Sequence, residues 1–204
     1  MQEVTTNEYK IVLLGQSGVG KSCLVLRFCR GQFFENREPT IGASYLTKSI
    51  SINSRDLKLQ IWDTAGQERY QSLAPMYYRN SEIAVVVYDI CSEDSFNKAK
   101  EWVKELSIKG LPDLIIGFVG NKTDLEKKRA VLTRDAEMYC ENHNLHFFET
   151  SAKTGEQVKD LFFYLATELM KLPKNQKHMT TKTSKNTIKD ISAIDNDEKR
   201  KGCC

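Results

Sequence analysis

Short apolar runs alternate with amphipathic stretches along most of the chain. Runs at residues 9–14, 45–52, 57–62, 83–88, 114–120 and 146–149 predict strands. Between them lie helical patterns, the clearest opening at Ser92 as N-cap, with Glu93 and Asp94 in its first turn. It carries Phe96, Ala99, Val103 and Leu106 at helical spacing. Another runs from Gln157 through Val158, Leu161, Phe162, Leu165 and Leu169, and a shorter one covers 23–30. Such alternation predicts an α/β fold, an open and mostly parallel six-stranded sheet with helices on both faces and ligands at the carboxyl ends of the strands. Ser51, Asn53, Ser54 and Arg55, between two extended runs, predict one antiparallel hairpin within it. After residue 172 the pattern stops. Residues 173–204 are rich in Lys, Thr, Asn and Asp with isolated apolar positions, the composition of a disordered tether. A polar, flexible stretch at 1–7 leaves 8–172 as the folded domain.

Composition narrows the class. The chain has 204 residues, 40% of them hydrophobic, enough for one core. A net charge of +3 does not argue for nucleic acid, and the tail's basic residues have no aromatics interleaved for base stacking. No run of about eighteen apolar residues occurs. Residues 1–6 lack the apolar core of a secretion signal, and Gln2 stands where N-myristoylation needs glycine. Cys23, Cys29, Cys91 and Cys140 show no metal-ligand spacing, as in a reduced cytosolic protein.

The chemistry concentrates where strands end. Gly15-Gln16-Ser17-Gly18-Val19-Gly20-Lys21-Ser22, with Cys23 following, lies between a strand and a helix and has the spacing of a P-loop. Its glycines let successive backbone N–H groups turn inward onto a polyphosphate, at a helix N-terminus whose dipole favours anions. Lys21 would reach the β- and γ-phosphates, and the Ser22 hydroxyl would ligate Mg²⁺. About forty residues further on, Asp63-Thr64-Ala65-Gly66-Gln67 follows a strand. Asp63 would hold the Mg²⁺, Gly66 would offer an N–H to the γ-phosphate, and Gln67 would orient an attacking water. In the polar loop at 33–42, Phe33 would cover the base edge, while Thr40 adds a second Mg²⁺ hydroxyl and an N–H for the γ-phosphate. A loop held only by such contacts is released when the phosphate leaves, which makes a switch.

Base specificity is read from Asn121-Lys122-Thr123-Asp124 and Ser151-Ala152-Lys153, each following a strand. The Asp124 carboxylate accepts from N1–H and the 2-amino group of guanine, donors that adenine lacks, and sites built on such pairs discriminate by about 10⁴–10⁵. Lys122 would lie along the base, Asn121 would tie the segment to the P-loop, and the Ala152 N–H would donate to the guanine 6-oxo group.

On these motifs the chain resembles the Rab branch of the Ras-like small GTPases over residues 9–172. The resemblance rests on Ile41-Gly42-Ala43-Ser44-Tyr45, on the run from Lys58 to Glu68, and on Arg69-Tyr70-Gln71-Ser72-Leu73. The stretches at 74–79 and 102–106 are most similar to the early-endosomal subfamily. It implies the P-loop GTPase fold and a monomeric GTP hydrolase cycling between GDP and GTP to regulate vesicle tethering and fusion. Its implied partners are an exchange factor, a GTPase-activating protein, a GDP-dissociation inhibitor, an escort protein for prenylation and endosomal effectors. The implied location is the cytoplasmic face of endosomal membranes, with a soluble GDP-bound pool. An aromatic triad that reads out nucleotide state falls on Tyr45, Trp62 and Tyr77, with Tyr45 in place of the usual Phe. The ending Gly202-Cys203-Cys204 resembles the family's doubly geranylgeranylated terminus, and two lipids anchor where one holds weakly.

Two other classes compete on the residues alone. A GTP-gated adaptor that scarcely hydrolyses is disfavoured by Gln67, and an ATP-using P-loop kinase is disfavoured by Asp124. Arg37 stands three residues before Thr40, the spacing at which heterotrimeric G-protein α subunits carry an arginine in cis. The plainer reading is a solvated arginine paired with Glu35 or Glu38.

Overall fold

The computed structural model describes residues 7–35 and 38–172. Among them, strands β1 (Asn7–Leu14), β2 (Ala43–Ile52), β3 (Arg55–Thr64), β4 (Ile83–Asp89), β5 (Ile115–Asn121) and β6 (His146–Thr150) form one six-stranded sheet in the order β2-β3-β1-β4-β5-β6. Only β2 and β3 pair antiparallel, which is the predicted sheet. Their hairpin closes at Asn53 and Ser54, both left-handed with φ of 49° and 60°, the two-residue turn whose twist matches the strands it joins.

The helices are α1 (Lys21–Arg30), α2 (Ala74–Tyr78), α3 (Glu93–Lys109), α4 (Thr133–His143) and α5 (Val158–Lys171). Short 3-10 turns cover Glu68–Leu73 and Thr123–Lys128. Ser92 caps α3, its hydroxyl accepting the Ser95 N–H at 3.2 Å. In β1 successive side chains go to opposite faces. Ile11 and Leu13 join Leu24 and Val25 of α1 and Leu161 and Leu165 of α5. Val12 and Leu14 join Ala99 and Val103 of α3 and Ala136 and Cys140 of α4. A central strand is apolar where it is covered on both faces, which is why 11–14 of β1 and 83–88 of β4 read as continuous runs rather than alternations.

Register places the polar ends of the strands side by side. Leu13 of β1 lies opposite Asp63 of β3, Asp89 of β4 opposite Asn121 of β5, and Asn121 opposite Thr150 of β6. The loops leaving these ends therefore share one rim of the sheet.

Candidate functional site

β1 ends at Leu14 and α1 starts at Lys21, so the intervening loop presents its backbone at the helix N-terminus. Lys21 is 5% exposed. Its ammonium donates to the carbonyls of Gly15 at 2.8 Å and Gln16 at 2.9 Å. Burial pulls its pKa down to about 8, and the Asp63 carboxylate only partly offsets this. A desolvated cation served chiefly by neutral carbonyls is the arrangement that an incoming polyphosphate would stabilise. Gly66 lies directly against it: a Cβ there would overlap the Lys21 ammonium and come within 2.5 Å of the Gln16 carbonyl. Gly20 has φ of 100°, and a side chain on it would collide with the Asn121 amide. The Gln16 side chain is turned away, donating to Asp94 at 2.6 Å in the first turn of α3.

The Ser22 and Thr40 hydroxyls meet at 2.9 Å. Asp63 is 2% exposed at the end of β3, where it accepts from Ser44 at 3.3 Å. Thr64 beside it donates to the Leu13 carbonyl at 2.6 Å, which fixes the end of β3 to β1. Ser22, Thr40 and Asp63 offer only oxygen, the donor set that a hard divalent cation such as Mg²⁺ takes. Among the described residues no group of three or more His, Cys, Asp or Glu could hold a metal ion. Gln67 is half-buried, and its carbonyl accepts from Arg69 at 2.6 Å.

Asn121, 1% exposed, joins three loops. Its amide donates to the Val19 carbonyl of the phosphate loop at 2.8 Å. Its oxygen accepts from the Thr150 hydroxyl and the Ala152 N–H, both at 3.2 Å. The N–H assigned from sequence to a base carbonyl here donates to Asn121, one of two donors to that buried oxygen. Ser151 donates to Asp124 at 2.6 Å. Lys122, left-handed at φ 78°, pairs with Asp89 at 2.7 Å, and Lys153 pairs with Glu35 at 2.7 Å.

Two contributors are not singled out from sequence. Asp89 could have been suspected as the polar end of β4. Arg27 could not, since a cation in a short amphipathic helix reads as surface. Yet its guanidinium donates to the carbonyls of Ala152 at 2.9 Å, Lys153 at 2.6 Å and Gly31 at 2.8 Å. It also lies 6.0 Å from the ring centre of half-buried Phe33. One side chain of α1 therefore holds the 151–153 loop and stands by the residue read as covering the base.

Away from this rim, Tyr45, Trp62 and Tyr77 form a continuous aromatic row, with ring centres 5.2 Å and 5.9 Å apart. Tyr45 is exposed, and Ile41 and Met76 add exposed apolar surface at 77% and 71%. Trp62 and Tyr77 are half-buried and pack against the core, so of the three only Tyr45 stands open. Arg37, Cys203 and Cys204 lie outside the described residues.

The Ras family model matches residues 10–171. The chain is also 49% identical over 199 residues to the Ras-related protein Rab-5A of Dictyostelium discoideum, covering 97% of this chain and 96% of that protein.

Proposed function

The chain belongs to the Rab branch of the Ras family of small GTPases, in its early-endosomal subfamily, and from that premise we propose how its residues run a GTP-hydrolysing switch in endosomal vesicle traffic. Proteins of this family bind GTP or GDP with Mg²⁺ and work through exchange factors, GTPase-activating proteins, GDP-dissociation inhibitors and effectors. Membership sets aside both the kinase and the adaptor that does not hydrolyse.

The observation that carries the site assignment is the buried Lys21 ammonium under Gly66, one loop away from an Asp124 carboxylate already held by Ser151. The phosphates lie along the backbone of Gly15, Ser17, Gly18, Val19 and Gly20, with Lys21 neutralising the β- and γ-oxygens. Guanine takes the Asp124 carboxylate on its N1–H and 2-amino edge, with Lys122 along one face and Phe33 at the rim. The Ala152 N–H leaves Asn121 to meet the 6-oxo group. Ser22, Thr40 and Asp63 would hold Mg²⁺, which would supply positive charge against the polyphosphate.

In hydrolysis a water oxygen bonds to the γ-phosphorus as the bond to the β–γ bridging oxygen breaks, giving GDP and phosphate. Gln67 orients that water, for which its carbonyl must exchange Arg69 for the water. Loss of the γ-phosphate frees Thr40 and Gly66, and the Tyr45, Trp62 and Tyr77 surface then loses the form that effectors recognise. Residues 173–204 act as a tether ending in Cys203 and Cys204, both geranylgeranylated by way of an escort protein, which places the GTP form on the cytoplasmic face of endosomes. Single-turnover GTP hydrolysis tests the catalytic assignment. Gln67→Leu should slow it at least tenfold with GTP affinity unchanged, and an unchanged rate would remove Gln67 from the mechanism.

A further inference from the structure

A cleft of about 610 Å³ lies between the last turn of α1, the C-terminal half of β2 and the first turns of α5. That size is within the range of clefts that engulf a ligand. Its floor is apolar, made by Phe28, Ile50 and Phe163, with Phe28 and Phe163 edge to face at 6.5 Å. Its walls carry Arg27, Arg30, Lys48 and Lys159, and no Asp or Glu lines it. Two of these cations are spent on neutral carbonyls, so their charge stays uncancelled: Arg27 on the 151–153 loop, and Lys48 on Cys29 at 3.2 Å. Arg30 and Lys159 form no ion pair among the described residues.

Helix-end electrostatics explains only part of this. Arg27 and Arg30 occupy the last turn of α1, where a cation complements the negative end of the helix dipole. Lys159 is in the first turn of α5, the positive end, where it is held instead by the Phe163 ring, its ammonium 5.2 Å from the ring centre at the rim of the floor, and Lys48 is on a strand. Four cations lining one cleft without a carboxylate describe a surface complementary to negative charge.

We propose that this cleft binds an acidic peptide segment of a protein partner, seated by an apolar or aromatic side chain on the Phe28, Ile50 and Phe163 floor. A bilayer surface is too flat to enter a concave site. A small phosphorylated ligand would leave the apolar floor uncovered. The lining contains none of the residues assigned to phosphate, metal or the aromatic row, so the partner is held equally in the GDP and GTP forms. It is therefore a different kind of partner from an effector.

Fluorescence anisotropy tests this on the full chain loaded with GDP or with a non-hydrolysable GTP analogue. The probe is a short fluorescein-labelled peptide rich in Glu and Asp with one central Phe. Saturable binding is expected, equal within twofold for the two nucleotide states and weakening as KCl is raised. It should fall at least tenfold when the peptide's acids become Gln or its Phe becomes Ser. The protein variants Arg30→Glu/Lys159→Glu and the milder Arg30→Ala/Lys159→Ala, checked for unchanged GDP binding, should lose at least tenfold and about threefold. No saturable binding up to millimolar protein, or equal binding by both variants, overturns the proposal. So does binding confined to the GTP form, which would belong to the aromatic row. Capture by phosphatidylserine vesicles, or displacement of the peptide by inositol hexakisphosphate at lower concentration than by unlabelled peptide, would reassign the cleft to anionic headgroups and also overturn it.

Discussion

Replacing Arg27 with Met should loosen the nucleotide without touching any group placed against it. Met keeps an apolar stem of similar length and removes the fork that donates to Ala152 at 2.9 Å and Lys153 at 2.6 Å. Hydrogen bonds from a charged donor contribute about 1.5–3 kcal/mol each. The Lys153 carbonyl is exposed and regains water, so little of its bond is lost. The Ala152 bond is half-buried, and its loss lets the loop drift from the position that aims the Ala152 N–H. A cost of about 1.4–2.8 kcal/mol to nucleotide binding corresponds to 10- to 100-fold. It should be seen in dissociation, because the encounter is unchanged. The assay is release of a fluorescent GDP analogue into excess GDP by stopped flow. Arg27→Lys, which keeps charge but cannot fork, should fall between wild type and Arg27→Met. Hydrolysis at saturating GTP should stay within twofold, since Arg27 is not among the phosphate residues. Release changed less than twofold in Arg27→Met would refute the reasoning, because the loop would then be held by Asn121 and Ser151 alone.

Tyr88 is fully buried, and its hydroxyl has no hydrogen-bond partner among the described residues. Tyr88→Phe removes that desolvated group and should leave the GDP-bound domain unchanged or raise its Tm by about 2–4 °C, as a gain near 1 kcal/mol would do; a loss of several degrees by calorimetry would mean the hydroxyl is satisfied. Replacing Cys203 and Cys204 together with Ser should move the protein to the soluble fraction with nucleotide affinity unchanged, and single replacements should leave partial association. Continued sedimentation of the double variant with membranes would end the lipid-anchor assignment.

What could be read in advance follows from which physical constraints act along the chain and which act across it. The runs at 11–14 of β1 and 83–88 of β4 are legible because the stretch of a strand covered on both faces is filled by apolar side chains, polar residues falling at the strand ends. The hairpin is legible because a run of small polar residues between two extended runs reads as a turn, and Asn53 is of a type that tolerates the left-handed φ found there. Helix α4 leaves almost no trace. Only Ala136 and Cys140 of it are buried, Met138 is half exposed, and Leu132 at its N-cap position offers no side-chain bond. A stripe so narrow is below what helical periodicity can register. The site divides in the same way. Glycines, Lys21 and the strand-end polar residues are specified by local backbone and by the ligand chemistry, so a motif contains them. Arg27 is specified by where two carbonyls more than 120 positions away come to rest. No spacing within α1 encodes that, and any helix former with a forked cation at that point would look the same in sequence. The same holds for the Ala152 N–H: chemistry says what it can donate to, but only the folded rim says that Asn121 competes for it.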